Sequence, residues 1–214
     1  MKLEELLGNM RRDTYLFDPK TYGRIYAFVD FANVRHWAKD FWPTENKIHL
    51  QREVGINELA KLIETVKPDK KFFYYGYHKP HPELADIHEL NQRHKKSWYR
   101  ISKAQKAGFS TRQKEIKEIA HFDENGKFAG TIKKCNFDIE MAMDMLRNVE
   151  LYDTVFLWSG DSDFHKLLEY LKVKKKKKII TVCARNFASK EVDSVSDLFI
   201  PADPFKEAIE YIRP

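Results

Sequence analysis

Cysteine is scarce in this 214-residue sequence, with Cys135 and Cys183 the only two present. They form no CxxC motif and no disulfide framework, which argues against a disulfide-stabilised secreted domain and favours a reducing compartment. Long apolar runs are also missing: none approaches the length that spans a bilayer, and the N-terminal segment MKLEELLGNMRRD has no apolar signal core. We therefore expect a cytoplasmic protein without a membrane partner.

Several familiar catalytic motifs are missing as well. The sequence contains no GxSxG, no HExxH and no GxxxxGK(S/T) phosphate loop. The histidines of residues 78–88 do not have the spacing of zinc ligands. These absences argue against a serine hydrolase, a zinc protease and a P-loop nucleotide hydrolase.

The sequence is instead rich in charged and aromatic residues. Charged residues make up 33% and aromatic residues 14%, and 38 Lys and Arg against 32 Asp and Glu give a formal net charge of +6. Such a basic excess is compatible with a polyanionic partner such as nucleic acid. The length fits one domain, which we place at residues 24–214, after a polar N-terminal arm at residues 1–23.

Strand-like and helix-like segments alternate along the chain. The expected strands are residues 24–33, 71–77, 153–160, 178–184 and 198–200, and the expected helices are residues 56–66, 83–107, 137–149, 163–173 and 204–212. Residues 109–122 and 127–134 flank Asn125-Gly126, a strong hairpin signal. The pattern predicts an α/β domain with a central, mainly parallel sheet and an inserted β-hairpin. In such folds the functional site lies beyond the carboxyl ends of the strands.

Acidic side chains follow two of the predicted strands. Asp30 ends the first strand, with Asn33 three residues later, and a GDSD turn places Asp161 and Asp163 after another strand, beside Ser159. Each of these residues could simply cap a helix. Three carboxylates at one edge of a sheet would, however, repel one another unless a cation lies between them. Mg²⁺ or Mn²⁺ is the kind of ion that carboxylate and water oxygens select.

The segment KKCNFDIEMAMD (residues 133–144) adds further candidates. Asp138 begins a predicted helix and is the most plausible fourth carboxylate. Asp144 lies about 240° around that helix, so we expect it to support the site from elsewhere or to pair with a lysine. Lys134 is expected to contact a substrate phosphate or to balance the acids. The apolar face of the helix is predicted to include Phe137, Ile139, Met141 and Met145.

Three or four carboxylates around one or two metal ions have a well-known chemical use. The metal lowers the pKa of a bound water, orients the attacking and leaving oxygens, and offsets charge at a phosphodiester. No side-chain nucleophile is required, in keeping with the missing motifs. The predicted catalytic and metal-binding residues are Asp30, Asp138, Asp161 and Asp163.

In this order, the motifs resemble those of the NYN domain family, a LabA-like branch of the PIN-like nucleases. The segments that carry the resemblance are FVDFANV (28–34), FFYYGY (72–77), KAGF (106–109), KKCNFDIEMAMDML (133–146), VFLWSGDSDFHKLLEYL (155–171), KIITVCA (178–184) and VSDLFI (195–200). The resemblance implies a PIN-like three-layer α/β/α sandwich and a Mg²⁺- or Mn²⁺-dependent ribonuclease, generally an endonuclease. It assigns metal binding to Asp30, Asp138, Asp161 and Asp163, and matches Asn33, Ser159 and Asp144 to supporting positions.

One predicted helix interleaves cations with aromatic residues, a combination that suits phosphates and unpaired bases. Its candidate RNA-binding residues are Arg93, Lys96, Trp98, Tyr99 and Arg100. The alternative is an ordinary amphipathic helix with solvated charges. The surface could be extended by lysines of the predicted hairpin, namely Lys114, Lys117, Lys127 and Lys133. The run KVKKKKK (172–178) is expected to form a solvated turn at the opposite edge of the sheet.

Two other functions compete with a nuclease. The GDSD turn resembles the metal-binding turn of haloacid-dehalogenase-type phosphatases, but that chemistry needs a second Asp two positions after the nucleophile, where Ala32 stands. A non-catalytic or conditionally active RNA-binding regulatory module on the same fold stays open. The sequence also leaves open the choice between RNA and single-stranded DNA, the mode of cutting, the number of metals and whether the chain forms a homodimer.

Overall fold

The computed structural model describes residues 19–43, 52–79 and 87–212. The strands in these residues are β1 Ile25–Asp30, β2 Arg52–Val54, β3 Lys70–Tyr77, β4 Ser110–Glu115, β5 Lys117–Phe122, β6 Phe128–Lys134, β7 Thr154–Trp158, β8 Lys178–Cys183, β9 Leu198–Pro201 and β10 Glu210–Ile212. The helices are α1 Pro19–Tyr22, α2 Phe31–Val34, α3 Ala38–Phe41, α4 Ile56–Glu64, α5 Ile87–Lys106, α6 Asp138–Arg147, α7 His165–Val173 and α8 Lys190–Val195. None of these helices has both the length and the apolar composition needed to span a bilayer.

Six strands form one parallel sheet in the order β4-β3-β1-β7-β8-β9. Every residue of β1 and β7 is buried, as expected for strands covered on both faces. The register places Asp30 beside Tyr74 of β3, and Val29 beside Trp158 of β7. The predicted α/β fold with a central parallel sheet is confirmed.

Helices cover both faces of this sheet. Residues of α2, α3, α4 and α5 pack in one hydrophobic core, and residues of α6, α7 and α8 pack in the other. Phe28 and Val29, which are neighbours in β1, belong to opposite cores because side chains alternate along a strand. The result is a three-layer α/β/α sandwich. Tyr22 is buried in it, although it falls in the predicted arm; residues 1–18 lie outside the described residues.

The segment predicted as one arm of a hairpin divides into two strands. Strand β4 pairs in parallel with β3 at the edge of the main sheet, whereas β5 pairs with β6 in the hairpin. Between them, the Ile116 N–H donates to the Tyr77 carbonyl at 2.9 Å. The Ile116 side chain fills the space over Gly76, where an added Cβ would lie 2.7 Å from it. The hairpin turn at Asn125-Gly126 is confirmed, and Gly126 adopts φ +75°.

The prediction of a closing helix at residues 204–212 is wrong. The chain forms a 3₁₀ turn at Asp203–Ile209 and then β10, which pairs antiparallel with β2. Phe205 and Ile209 are buried by the turn, and Arg52 forms an ion pair with Glu210 at 3.2 Å. Local periodicity could not reveal this ending because the partner strand lies about 150 residues earlier and was not predicted.

Two further features refine the sequence predictions: the ends of α5 and the buried face of α6. The helix predicted at residues 83–107 is α5, and Gly108 follows it with φ +84°; residues 83–86 lie outside the described residues. In α6, Ile139 is 72% exposed, so its assignment to the apolar face is wrong. Phe137, Met141 and Met145 define the buried stripe at a spacing of four, and Ile139 lies about 200° from Phe137.

Candidate active site

Asp30 lies at the carboxyl end of β1 and points to the same face of the sheet as Tyr74. Its carboxylate is buried, and Oδ1 accepts a hydrogen bond from the Asn33 N–H at 3.1 Å. The capping role considered for Asp30 is therefore real. The Asn33 side chain has a different partner, since its Oδ1 accepts from Trp37 Nε1 at 3.1 Å. Asn33 thus supports the site by fixing the first turn after β1.

The GDSD turn follows β7 at the neighbouring position in the sheet. Ser159 is fully buried, and its Oγ accepts from the Asp161 N–H at 3.3 Å. Asp161 Oδ1 in turn accepts from the Asp163 N–H at 3.0 Å, while the Asp163 side chain is exposed. Gly160 is required here, because an added Cβ would lie 2.3 Å from the Phe187 carbonyl oxygen. Burial and close packing therefore fix the backbone that presents both acids.

Asp138 begins α6 and completes an acidic group with Asp30, Asp161 and Asp163. Burial raises the pKa of Asp30 to about 6, and the charges of Asp138 and Asp161 add to that rise, against the lowering by the Asn33 N–H. The pKa of Asp138 is raised by burial and then by Asp161 and Asp163. The four predicted ligands, which come from three separate segments, therefore act on one another electrostatically.

Two charged residues beside this group were missed as site residues. Lys114 of β4 reaches Glu140 of α6, with its Nζ at 2.7 and 2.8 Å from the two carboxylate oxygens. Both also act on Asp138: Lys114 lowers its pKa and Glu140 raises it. The signal for Lys114 was its position near the carboxyl end of a parallel strand. It was hidden because that strand was interpreted as a hairpin arm.

Asp144 supports the site indirectly, by anchoring α6 to the sheet. It is buried, accepts from the Tyr74 hydroxyl at 2.9 Å, and forms a two-point ion pair with Arg112 at 2.8 and 3.2 Å. Burial and Asp144 strongly raise the pKa of Tyr74. The expected partner was a lysine, and an arginine is found instead. These bonds tie α6 to β3 and β4, and hence fix the helix that carries Asp138.

The predicted basic residues are more dispersed. Lys134 is exposed at the end of β6. On α5, Trp98 packs against Tyr77 with ring centroids 5.2 Å apart and is 37% exposed, whereas Tyr99 is 62% exposed. Lys96 is exposed, and Arg93 lies 4.0 Å from Glu118 of the hairpin. Arg100 turns inward to Glu53, at 2.9 Å. The side chains predicted to form one RNA-binding surface on α5 therefore point in two different directions.

The acidic side chains suit a hard divalent cation by chemistry. Their oxygens are the donors that Mg²⁺ and Mn²⁺ take, and Mg²⁺ commonly uses one or two carboxylates and keeps several waters. Within residues 19–43, 52–79 and 87–212, no three His, Cys, Asp or Glu side chains are close enough to ligate one ion directly.

The profile of the NYN domain matches residues 24–203 of this chain. The chain belongs to the NYN domain family. This membership confirms the resemblance drawn from the motifs and associates the chain with nucleases and nucleic acids.

This NYN chain is also similar to a curated protein and to a solved structure. The low amplitude and bright protein LabA of Synechococcus elongatus is 33% identical over 103 residues, which cover 48% of this chain and 53% of the relative. The match therefore spans about half of the relative. The crystal structure of a protein of unknown function from Vibrio parahaemolyticus aligns with a TM-score of 0.59 at 16% identity, covering 91% of this chain and 99% of that one. At that identity the likeness concerns the fold.

Proposed function

We propose that this protein is a divalent-metal-dependent ribonuclease that hydrolyses phosphodiester bonds at the carboxyl edge of its sheet. The observation that carries the proposal is the buried carboxylate of Asp30, coupled electrostatically to Asp138 and Asp161. A buried acid next to two others is costly as an anion unless a cation accompanies it. The NYN family membership favours nucleic acid as the substrate.

Asp30, Asp138, Asp161 and the exposed Asp163 would hold Mg²⁺ or Mn²⁺, at most two of them directly and the others through its bound waters. The bound ion would supply a water of lowered pKa and a positive charge beside the phosphate. The chain itself orients these acids before any ligand arrives: backbone N–H groups hold Asp30 and Asp161, and Asn136 Nδ2 donates to Asp138 Oδ2 at 2.8 Å. Fixed carboxylates reduce the reorganisation needed at the reaction centre.

The test is cleavage of a single-stranded RNA by purified protein with Mg²⁺, Mn²⁺, Ca²⁺ or EDTA. We expect cleavage with Mg²⁺ or Mn²⁺ and none in EDTA or in the Asp161→Asn variant. Circular dichroism of the variant checks that its fold is intact. Full activity in EDTA, or in Asp161→Asn, would contradict the proposal.

A second candidate is an RNA-binding regulatory module that does not cut. The observation that favours it is the lack, among the described residues, of three acids already arranged around one ion. RNA binding that survives Asp161→Asn, together with no cleavage by the wild type under any divalent ion, would select this alternative.

A further inference from the structure

A basic and aromatic groove lies on the other side of β1 from the acids. Two of its lining residues, Phe31 and Arg100, contact Tyr75 of β3, a buried residue whose hydroxyl oxygen accepts from two guanidinium groups. Arg35 Nη1 donates at 3.2 Å, and Arg100 Nη1 donates at 3.4 Å. Arg35 comes from the turn after α2 and Arg100 from α5, so three separate elements converge on one hydroxyl.

Positive charge is in excess at this groove. Arg100 forms an ion pair with Glu53 at 2.9 Å. In the part of the chain that the structure describes, neither the exposed Arg35 nor Lys103 has a carboxylate as an ion-pair partner. Of these three cations, only Arg100 has a carboxylate as an ion-pair partner within the described residues, and the Glu58 carboxylate also lies against Gly55 of the groove. Two guanidinium groups held side by side match the oxygens of a phosphate, because each presents several N–H donors in a plane.

Aromatic rings line the same groove. Tyr99 and Tyr211 lie beside Arg100 and Lys103, and the Lys103 ammonium is 4.3 Å from the centre of the Tyr211 ring. The Tyr99 ring is 62% exposed, although it is a large aromatic side chain on a well-packed helix. An exposed ring next to cations is the arrangement on which unpaired bases stack while their phosphates are neutralised.

The groove and the acids flank the start of α2. Phe31 lines the groove and directly follows Asp30 in the sequence, and the two sites lie on opposite faces of the sheet. This geometry does not involve Arg93 or Trp98, which face the hairpin and Tyr77.

We infer that this groove, lined by Tyr99, Arg100 and Lys103 and bordered by Arg35 and Tyr75, binds a single-stranded nucleic acid on the face of the sheet opposite the acids. The inference rests on the proposed function and specifies its substrate as an unpaired strand. The guanidinium pair takes a non-scissile phosphate, and Tyr99 stacks on one base. Bases in a duplex are already stacked and are not available to Tyr99.

The experiment measures binding in EDTA, so that it does not depend on cleavage. Fluorescein-labelled ten-nucleotide oligo-U and oligo-dT, and an RNA duplex of the same length, are titrated with wild type and variants by fluorescence anisotropy at several salt concentrations. Arg35→Gln is expected to weaken oligo-U binding about tenfold at low salt and to reduce the slope of log K against log salt by about 0.7, the loss of one phosphate contact on a single strand.

Tyr99→Ala is expected to weaken binding at least about fivefold with an unchanged salt slope, whereas Tyr99→Phe keeps the ring and binds like wild type. The matched arginine control is Arg147→Gln, an exposed residue at the far end of α6. The ratio of oligo-U to oligo-dT affinity tells whether RNA or DNA is preferred.

The inference is overturned if Arg35→Gln and Tyr99→Ala both bind like the Arg147→Gln control, or if the duplex binds as tightly as the single strand. It is also overturned if the wild type binds neither oligonucleotide at low salt. Specific loss of binding in Arg35→Gln and Tyr99→Ala supports the groove even where no metal gives cleavage, so the groove and the nuclease activity can fail separately.

Discussion

Aspartates at the two edges of the central sheet have opposite surroundings. At the amino edge, three aspartates each precede a strand and accept a backbone N–H from the start of the neighbouring strand. The bonds are Ile25 N–H to Asp69 at 2.9 Å, Arg24 N–H to Asp153 at 2.9 Å and Ile179 N–H to Asp197 at 2.8 Å. These carboxylates hold the strand starts in register.

Cations complete the amino edge. Arg24 lowers the pKa of Asp153, and Lys172 forms an ion pair with Asp197 at 2.9 Å. The lysine run at residues 172–178 lies at this edge, where Lys177 donates to the Tyr152 carbonyl at 2.8 Å. The expected position of the run, away from the acids, agrees with the strand direction, since β8 begins at Lys178.

The carboxyl edge also carries aspartates, but pKa values there are raised, whereas that of Asp153 at the amino edge is lowered. Asp30 and Asp138 have raised pKa values, mainly because of burial and then because of neighbouring aspartates. At the amino edge the aspartates pair with strand N–H groups and cations, whereas at the carboxyl edge they lie near one another, an arrangement typical of functional sites. The comparison teaches that the sheet separates two environments of aspartate by edge.

The largest expected effect is that a variant at the carboxyl edge loses cleavage, whereas a variant at the amino edge loses only stability. Asp161→Asn should reduce RNA cleavage about a hundredfold or more, because even residues that only support metal ligands cost 10–100-fold. Asp197→Asn should leave cleavage unchanged and lower the free energy of unfolding by about 1 kcal/mol or less, since its ion pair is partly exposed. Cleavage assays and urea denaturation measure both quantities. Equal loss of cleavage in the two variants would remove the distinction.

The next effect is on stability and depends on pH. The pKa of Asp30 is raised from 3.8 to about 6, so the stability present below pH 4 is lost as the pH rises through 6. Asp30→Asn should therefore stabilise the metal-free protein by about 3 kcal/mol at pH 7.5 and by almost nothing at pH 4. Urea denaturation in EDTA at the two pH values measures this. A change of the same size at both would contradict the assigned environment of Asp30.

A smaller effect distinguishes residues that only anchor α6 from residues that take part in cleavage at the carboxyl edge. Tyr74→Phe removes the hydroxyl that donates to Asp144, while Arg112 still pairs with that carboxylate. We expect a loss of about 1–2 kcal/mol in the free energy of unfolding. Cleavage should stay within a few-fold of wild type, because α6 is still anchored. A loss of cleavage as large as in Asp161→Asn would instead show that the Tyr74 hydroxyl, or its bond to Asp144, is needed for the reaction itself.

The smallest effect concerns Lys114, the one cation of this edge that pairs with Glu140 within the described residues. Lys114→Met removes a positive charge that lowers the pKa of Asp138. Mn²⁺ binding at neutral pH should become about two- to fivefold tighter, and the gain should shrink at high salt. Lys174→Met, an exposed lysine at the amino edge, is the matched control. Weaker binding in Lys114→Met would show that this lysine helps to assemble the site.

Much of this fold could be predicted because its signals are local. Continuous apolar runs identified the buried strands, and acids directly after those runs identified Asp30 and Asp161 as residues of one edge. The environment of Lys114 and the β2–β10 pairing could not be predicted, since each depends on which strand pairs with which. The exposure of Ile139 was misjudged because an apolar residue in a helix does not by itself reveal the buried stripe.

The same limit applies to the groove at Tyr75. Arg100 and Tyr99 were candidates from their helix, but Arg35 belongs to a turn whose place beside them depends on the packing of α2 against β3. Sequence alone could suggest cations and aromatic rings on α5. It could not identify the Tyr75 hydroxyl, on which Arg100 of α5 and Arg35 of the turn after α2 converge.

The most direct test of the difference between the edges is a Mn²⁺ titration by isothermal calorimetry at pH 7.5. Wild type and Asp197→Asn should bind Mn²⁺ with the same affinity, whereas Asp30→Asn and Asp161→Asn should each weaken binding at least about tenfold. Unchanged Mn²⁺ binding in both carboxyl-edge variants, with a folded protein by circular dichroism, would contradict the claim that these acids form a metal site.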